Sequence, residues 1–172
     1  MKIQGKVKDL IAQHRSNVFD TWLEQDKISC LPNYALPAVI SPTAFTSMVP
    51  KSLYTAEEDM NEYEFKVVWA LSELGNVKWW HRNISRLGFQ INGPVHAYPD
   101  IIVMLHSGKI LMVETKGDHL DNDESKEKAK IGDQWAKLAG KQYKYYMVFE
   151  TKQPDYPGAY SMDRFMEIVK GL

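Results

Sequence analysis

Between Lys6 and Gln25 the apolar residues Val7, Leu10, Ile11, Val18, Phe19, Trp22 and Leu23 recur at helical spacing, which predicts one helix. His14 falls on the same stripe and reads as a partly buried packing residue. Four prolines, Pro32, Pro37, Pro42 and Pro50, then exclude a long helix and make 31–50 an irregular connector. The text TAEEDMNEYEFKVVWALSELG predicts a second helix. Thr55 and Glu58 stand at capping-box spacing, Met60, Val67, Val68, Leu71 and Leu74 follow, and Gly75 stops it. VKWWHRN, from Val77, alternates as a strand does, and RLGFQING holds a short further run. YPDIIVMLHSGKILMVETKG, from Tyr98 to Gly117, sets two apolar runs around a turn. Beyond Gly117 a polar turn leads to a helix with Ile131, Trp135 and Leu138 on one side and Gly140 at its end. KQYKYYMVFE gives another strand, and a terminal helix runs from about Ser161 to Val169. The expected class is α/β with the core order helix, strand, strand, strand, helix, strand, in 52–172, behind a helical arm and connector in 1–51.

The hairpin carries charges that its apolar runs do not call for: Asp100 at its start, Glu114 and Lys116 near its end. A three-residue loop of His106, Ser107 and Gly108 pairs Leu105 with Lys109 and puts Asp100 opposite Glu114. A two-residue loop of Ser107 and Gly108 leaves the two carboxylates diagonal instead. Directly opposed Cβ atoms stand roughly 4.5–5.5 Å apart. Side chains alternate along a strand, so Glu114 and Lys116 share a face and Thr115 points away. Carboxylates that close need a shared proton or a cation. Lys116 supplies one positive charge, and Mg²⁺ characteristically takes one or two carboxylates plus water and phosphate oxygens. The bland alternative is a charged cluster at an exposed sheet edge. Ile101 to Val103 and Leu111 to Val113 argue for central strands, and Pro99 stands where a strand start tolerates proline.

Composition adds bounds rather than detail. The 172 residues suit one domain, and 21 basic against 22 acidic residues give a net charge of -1, so nucleic-acid binding must rest on a local site. Cys30 is the single cysteine, which excludes an internal disulfide and a C-x-x-C metal site. No apolar stretch approaches a membrane span, and the opening MKIQGKVKDL lacks the apolar core of a signal peptide, so a cytoplasmic protein without membrane attachment is expected. No G-x-x-x-x-G-K-[ST] occurs, so an ATP-driven motor would lie outside this chain.

Pro99-Asp100 followed by Glu114-Thr115-Lys116 resembles the PD-(D/E)XK nuclease signature, on the second and third strands of the expected core. The wider text SLYTAEEDMNEYEFKVV, VKWWHRNISR, YPDIIV, GKILMVETKGDHLDN and KIGDQWAKLAGKQYKYYMVFE is similar to the C-terminal endonuclease domain of type III restriction enzyme restriction subunits and related helicase–nuclease proteins, over about 52–150. The resemblance implies a restriction-endonuclease-like αβββαβ core with a central mixed sheet between helices. It implies a deoxyribonuclease using Mg²⁺ or Mn²⁺, working with an ATP-dependent helicase or translocase module or a modification subunit. It makes Asp100 and Glu114 the metal ligands, with the Thr115 carbonyl as third, and gives Lys116 the attacking water and the phosphate charge. Families of this type often add an acidic residue from the first core helix. Glu62 and Glu64 are both available, and Glu64 is chosen for its spacing from Val67 and Leu71.

Around this signature, Trp79, Trp80, His81, Arg82 and Arg86 form an aromatic–basic cluster. One of the tryptophans should pack, and Arg82 and Arg86 are candidates for DNA phosphate. Gln134 is a candidate substrate contact and Trp135 a core residue. The lysines from Lys126 to Lys144, interleaved with acids, read as a solvated face. Asp118, His119 and Asp121 read as turn and capping residues. Two alternatives stand beside the restriction-enzyme reading: a non-catalytic DNA-binding or docking module, and a stand-alone structure-specific nuclease.

Overall fold

The computed structural model describes residues 2–172. Helix α1 (Lys2–Glu24) is followed by the extended connector and by α2 (Glu62–Ser72), then strands β1 (Val77–Arg82), β2 (Ile101–Leu105) and β3 (Ile110–Lys116). A single 3-10 turn (Asp118–Leu120) leads to α3 (Asp123–Ala139), β4 (Tyr143–Phe149), β5 (Ala159–Ser161) and α4 (Met162–Lys170). The expected core order is therefore present from α2 to β4. The short strand β5 had no signal in the sequence, because three residues are too few to show a period.

The five strands form one mixed sheet in chain order, antiparallel from β1 to β3 and parallel from β3 to β5. The hairpin takes the three-residue loop: Ile101 pairs with Val113 and Ile102 with Met112, Leu105 N–H donates to the Lys109 carbonyl at 2.9 Å, and Gly108 turns with φ 82°. β3 is the central strand, and Leu111 and Val113 are fully buried on one of its faces. Burying each such side chain contributes about 1.5–3 kcal/mol. That face joins Ile101, Val103, Trp80 and Val148 to α2 and α4. The opposite face joins Ile102, Met112, Tyr145 and Met147 to α3.

Three expectations are corrected here. α2 begins not from Thr55 but from Asn61, whose side chain accepts from Glu64 N while Glu64 returns a bond to Asn61 N, each at 2.9 Å. Glu58 instead holds the Thr43 hydroxyl and amide. His14 is exposed, because Val7, Leu10 and Ile11 beside it on α1 are themselves uncovered and only Phe19 of the helix packs on the α3-side core. Leu138 is also partly uncovered, at 41% exposure, near the end of α3. Trp80 and Trp135 are core residues as expected.

The arm docks on α3 through Ser16 Oγ donating to Glu127 and through the Asp20–Lys130 ion pair at 2.7 Å. Among the described residues no helix is long and apolar enough to cross a membrane.

Candidate active site

The end of β1, the start of β2 and the end of β3 lie at one edge of the sheet, since β2 runs antiparallel to both neighbours. The first turns of α2 and α3 reach the same edge. Arg82, Asp100, Glu114 and Lys116 are brought together there because each lies within two residues of the end of a strand whose middle is apolar. Asp100 departs from the ladder: its N–H donates to Val113 O at 2.8 Å, and its carboxylate, rather than a backbone carbonyl, accepts from Thr115.

Asp100 Oδ2 accepts from Thr115 N at 2.7 Å and from Thr115 Oγ1 at 2.9 Å, which fixes the carboxylate against β3. Oδ1 has only the longer contact to Arg82 Nη1 at 3.5 Å, and the side chain is 24% exposed. Thr115 thus points away from Glu114 yet engages the site through its hydroxyl. Glu114 is almost wholly buried. Its Oε1 pairs with Lys116 Nζ at 2.7 Å and its Oε2 accepts from Tyr145 Oη at 2.7 Å. Lys116 is 16% exposed, so its ammonium is held near the mouth rather than ranging into solvent.

Arg82 turns inward. One nitrogen donates to the Asp100 carbonyl at 3.0 Å and the other to Glu64 Oε1 at 3.0 Å. Glu64 is therefore buried and shared between the α2 cap and Arg82. Among the described residues, no three of His, Cys, Asp and Glu stand close enough to hold a metal together. Glu64 meets Asp100 through Arg82.

The electrostatics follow from burial. Burial first, and the Glu64 charge second, raise the Asp100 carboxyl above the ordinary aspartate range, against the opposing pull of Thr115 and Arg82. The site thus sets Arg82, Lys116 and the nearby Lys128 among its carboxylates, and burial rather than a lack of cations lifts Asp100. Its donors are all hard oxygens: two carboxylates from adjacent strands with solvent access at Asp100. That set suits Mg²⁺ or Mn²⁺, which need only one or two protein carboxylates.

Three further residues belong to this edge and had been missed in the sequence. Tyr145, on β4, is buried, and its hydroxyl pKa is driven well above normal by that burial and by Glu114, so it remains a donor. Lys128, on α3, pairs with Glu124 at 2.8 Å. Burial would lower its pKa, but Glu124, Glu114 and Asp100 outweigh it and hold it raised. Lys128 is thus set apart from the solvated lysines of α3. Glu57, in the connector, is buried; its Oε2 contacts His81 Nδ1 at 2.9 Å and accepts from Arg82 N at 3.1 Å. Parallel pairing of β3 with β4 could not be read from periodicity, so Tyr145 carried no signal. Lys128 was hidden in a helix of alternating charge.

The remaining expected contacts lie apart. Arg86 is exposed in a turn after β1, with φ 68°. Gln134 lies on the later half of α3, at a cleft of about 430 Å³ that it shares with Tyr34, Phe89 and Trp135. Asp118 accepts from Thr151 and Lys152, and Asp121 from Tyr156, so both clamp the segment after β4. No family model, curated protein or solved structure matches this chain.

Proposed function

We propose that this chain is a metal-dependent deoxyribonuclease domain of the PD-(D/E)XK type, acting as the cleavage module of a type III-like restriction system. The observation that carries the reading is the convergence of Asp100, Glu114 and Lys116 at one sheet edge, where Lys128 and Tyr145 feel both carboxylates and Asp100 meets Arg82 only at 3.5 Å. The αβββαβ order and the mixed sheet support a restriction-endonuclease-like core. Asp100 and Glu114 would hold Mg²⁺ or Mn²⁺, joined by the Thr115 carbonyl. Bound there, the ion would lower the pKa of water and stabilise charge on the phosphate.

The chain's own groups do the rest. Lys116 sets a fixed ammonium where negative charge grows on the phosphate, and its pairing with Glu114 aims it. Tyr145 donates to Glu114 and so orients its carboxylate. Arg82 keeps the buried Glu64 charge neutralised and braces Asp100 through its carbonyl. Lys128 contributes a second positive charge from α3. A motor or modification partner would bring DNA to a domain whose own charge is near zero.

Supercoiled plasmid at low salt is the test. Nicking that needs Mg²⁺ or Mn²⁺, stops in EDTA and is lost in Asp100→Ala and Lys116→Ala supports the reading; unchanged rates in both variants overturn it. A docking module is the second reading. It is favoured by one feature: Glu114 is already satisfied by Lys116 and Tyr145 without an ion. Such a module would bind DNA equally well in EDTA and nick nothing.

A further inference from the structure

The cleft beside Gln134 is walled by Tyr34, Phe89 and Trp135, whose rings meet edge to face with centroids 5.8 Å apart for Tyr34–Phe89 and 5.4 Å for Phe89–Trp135. Its polar lining includes Gln90, Asn92 and Gln134. Gln90 and Asn92 are exposed and Gln134 is half-buried, and among the described residues none of the three carboxamides is engaged in a side-chain hydrogen bond. Burial pushes the Cys30 thiol up, so it serves as wall rather than nucleophile.

The wall is held firmly. Asn83, fully buried, donates to Phe89 O at 2.9 Å and to Pro99 O at 2.6 Å, and accepts from Phe89 N at 2.7 Å. A Cβ on Gly88 would come within 2.1 Å of Asn83 Oδ1, so the turn closes on that amide. On the other side Ile91 and Ala97 exchange two backbone bonds of 2.8 and 3.1 Å. The same asparagine that fixes Phe89 therefore fixes Pro99, the residue before Asp100, and follows Arg82 directly. Gln134 lies six residues beyond Lys128, about 9 Å along α3.

We infer that this cleft takes an unpaired nucleobase from the DNA strand engaged at the carboxylate edge, with adenine the best match. Tyr34, half-buried where Phe89 and Trp135 are packed behind it, supplies the stacking ring, and a carboxamide offers the donor–acceptor pair that reads the N6 and N7 edge of adenine. A base turned out of its stack needs such a ready-made pocket to offset unstacking. The choice of DNA as the polymer rests on the nuclease reading; the pocket chemistry does not.

Fluorescence anisotropy in EDTA, at low salt, tests it with two labelled probes of equal charge: a single-stranded run of deoxyadenylates and an abasic phosphodiester of the same length. The intact chain should hold the adenine probe about tenfold tighter than the abasic one. Gln134→Leu and Asn92→Leu, the second at an exposed position where folding is not at stake, should each cut that preference to about threefold or less. Abasic binding should not move. Equal binding of both probes by the unaltered chain overturns the inference, as does a preference kept in both variants. Because binding is read without metal, base preference can survive a failure to nick plasmid, and nicking can survive a loss of base preference.

Discussion

At Asp100, burial and the neighbouring Glu64 charge favour the protonated form, while Thr115 and Arg82 favour the carboxylate. The net shift is upward. A folded-state pKa above the unfolded value means that this group stabilises the fold below its unfolded pKa and loses that stabilisation as pH rises through the folded one. Ionised Asp100 therefore costs stability at neutral pH. Asp100→Asn, which can still accept from Thr115, should leave the metal-free protein equally stable or about 1 kcal/mol more stable at pH 7. The advantage should shrink as pH falls towards the ordinary aspartate range, which urea titrations at the two pH values would reveal. A loss of stability at pH 7 would contradict it. Cleavage should fall on acidification through the same group. The pairing of Asp100 with β3 was legible from residue spacing alone. The bond that replaces the expected backbone rung was not, because nothing in the sequence says where a ladder ends.

At the scale of elements, α3 is pressed against β4 at Gly132. A Cβ there would come within 2.2 Å of the Tyr145 ring, whose hydroxyl serves Glu114. Ala for Gly in a helix interior ordinarily gains up to about 1 kcal/mol. Here the sign should reverse, with Gly132→Ala costing about 1–3 kcal/mol. Tyr145→Phe should instead lose only the bond to buried Glu114, about 1–3 kcal/mol. Thermal melts of both, set beside nicking rates, separate packing from the hydroxyl. Patterning identified the helices and four of the strands, yet it chose the wrong cap for α2. Thr55–Glu58 and Asn61–Glu64 both satisfy the capping spacing. What decides between them is Thr43 and Ala44, which claim Glu58 from a distant part of the chain.

For the molecule as a whole, charge is arranged rather than accumulated. A net charge of -1 coexists with Arg82, Lys116 and Lys128 gathered at one edge beside the first turns of α2 and α3, whose dipoles favour anions there. The arm is held more loosely. The Asp20–Lys130 pair is about two-fifths exposed on both sides, so Asp20→Ala should lower stability by less than about 1 kcal/mol, measured by denaturant titration. A larger loss would mean that α1 is integral to the core. Its helical period was plain in the sequence, but period alone could not tell a buried stripe from the uncovered Val7, Leu10 and Ile11.

The order of the strands also sets an order in time. Asp100 and Thr115 meet by closing a short hairpin, whereas Tyr145 reaches Glu114 only after the whole α3 crossover has docked β4 alongside β3. Local pairings close early and parallel ones late. The carboxylates should thus be neighbours before their tyrosine arrives. The last turn of the clock belongs to α3, which brings Tyr145's strand and Lys128 to a pair of acids already waiting.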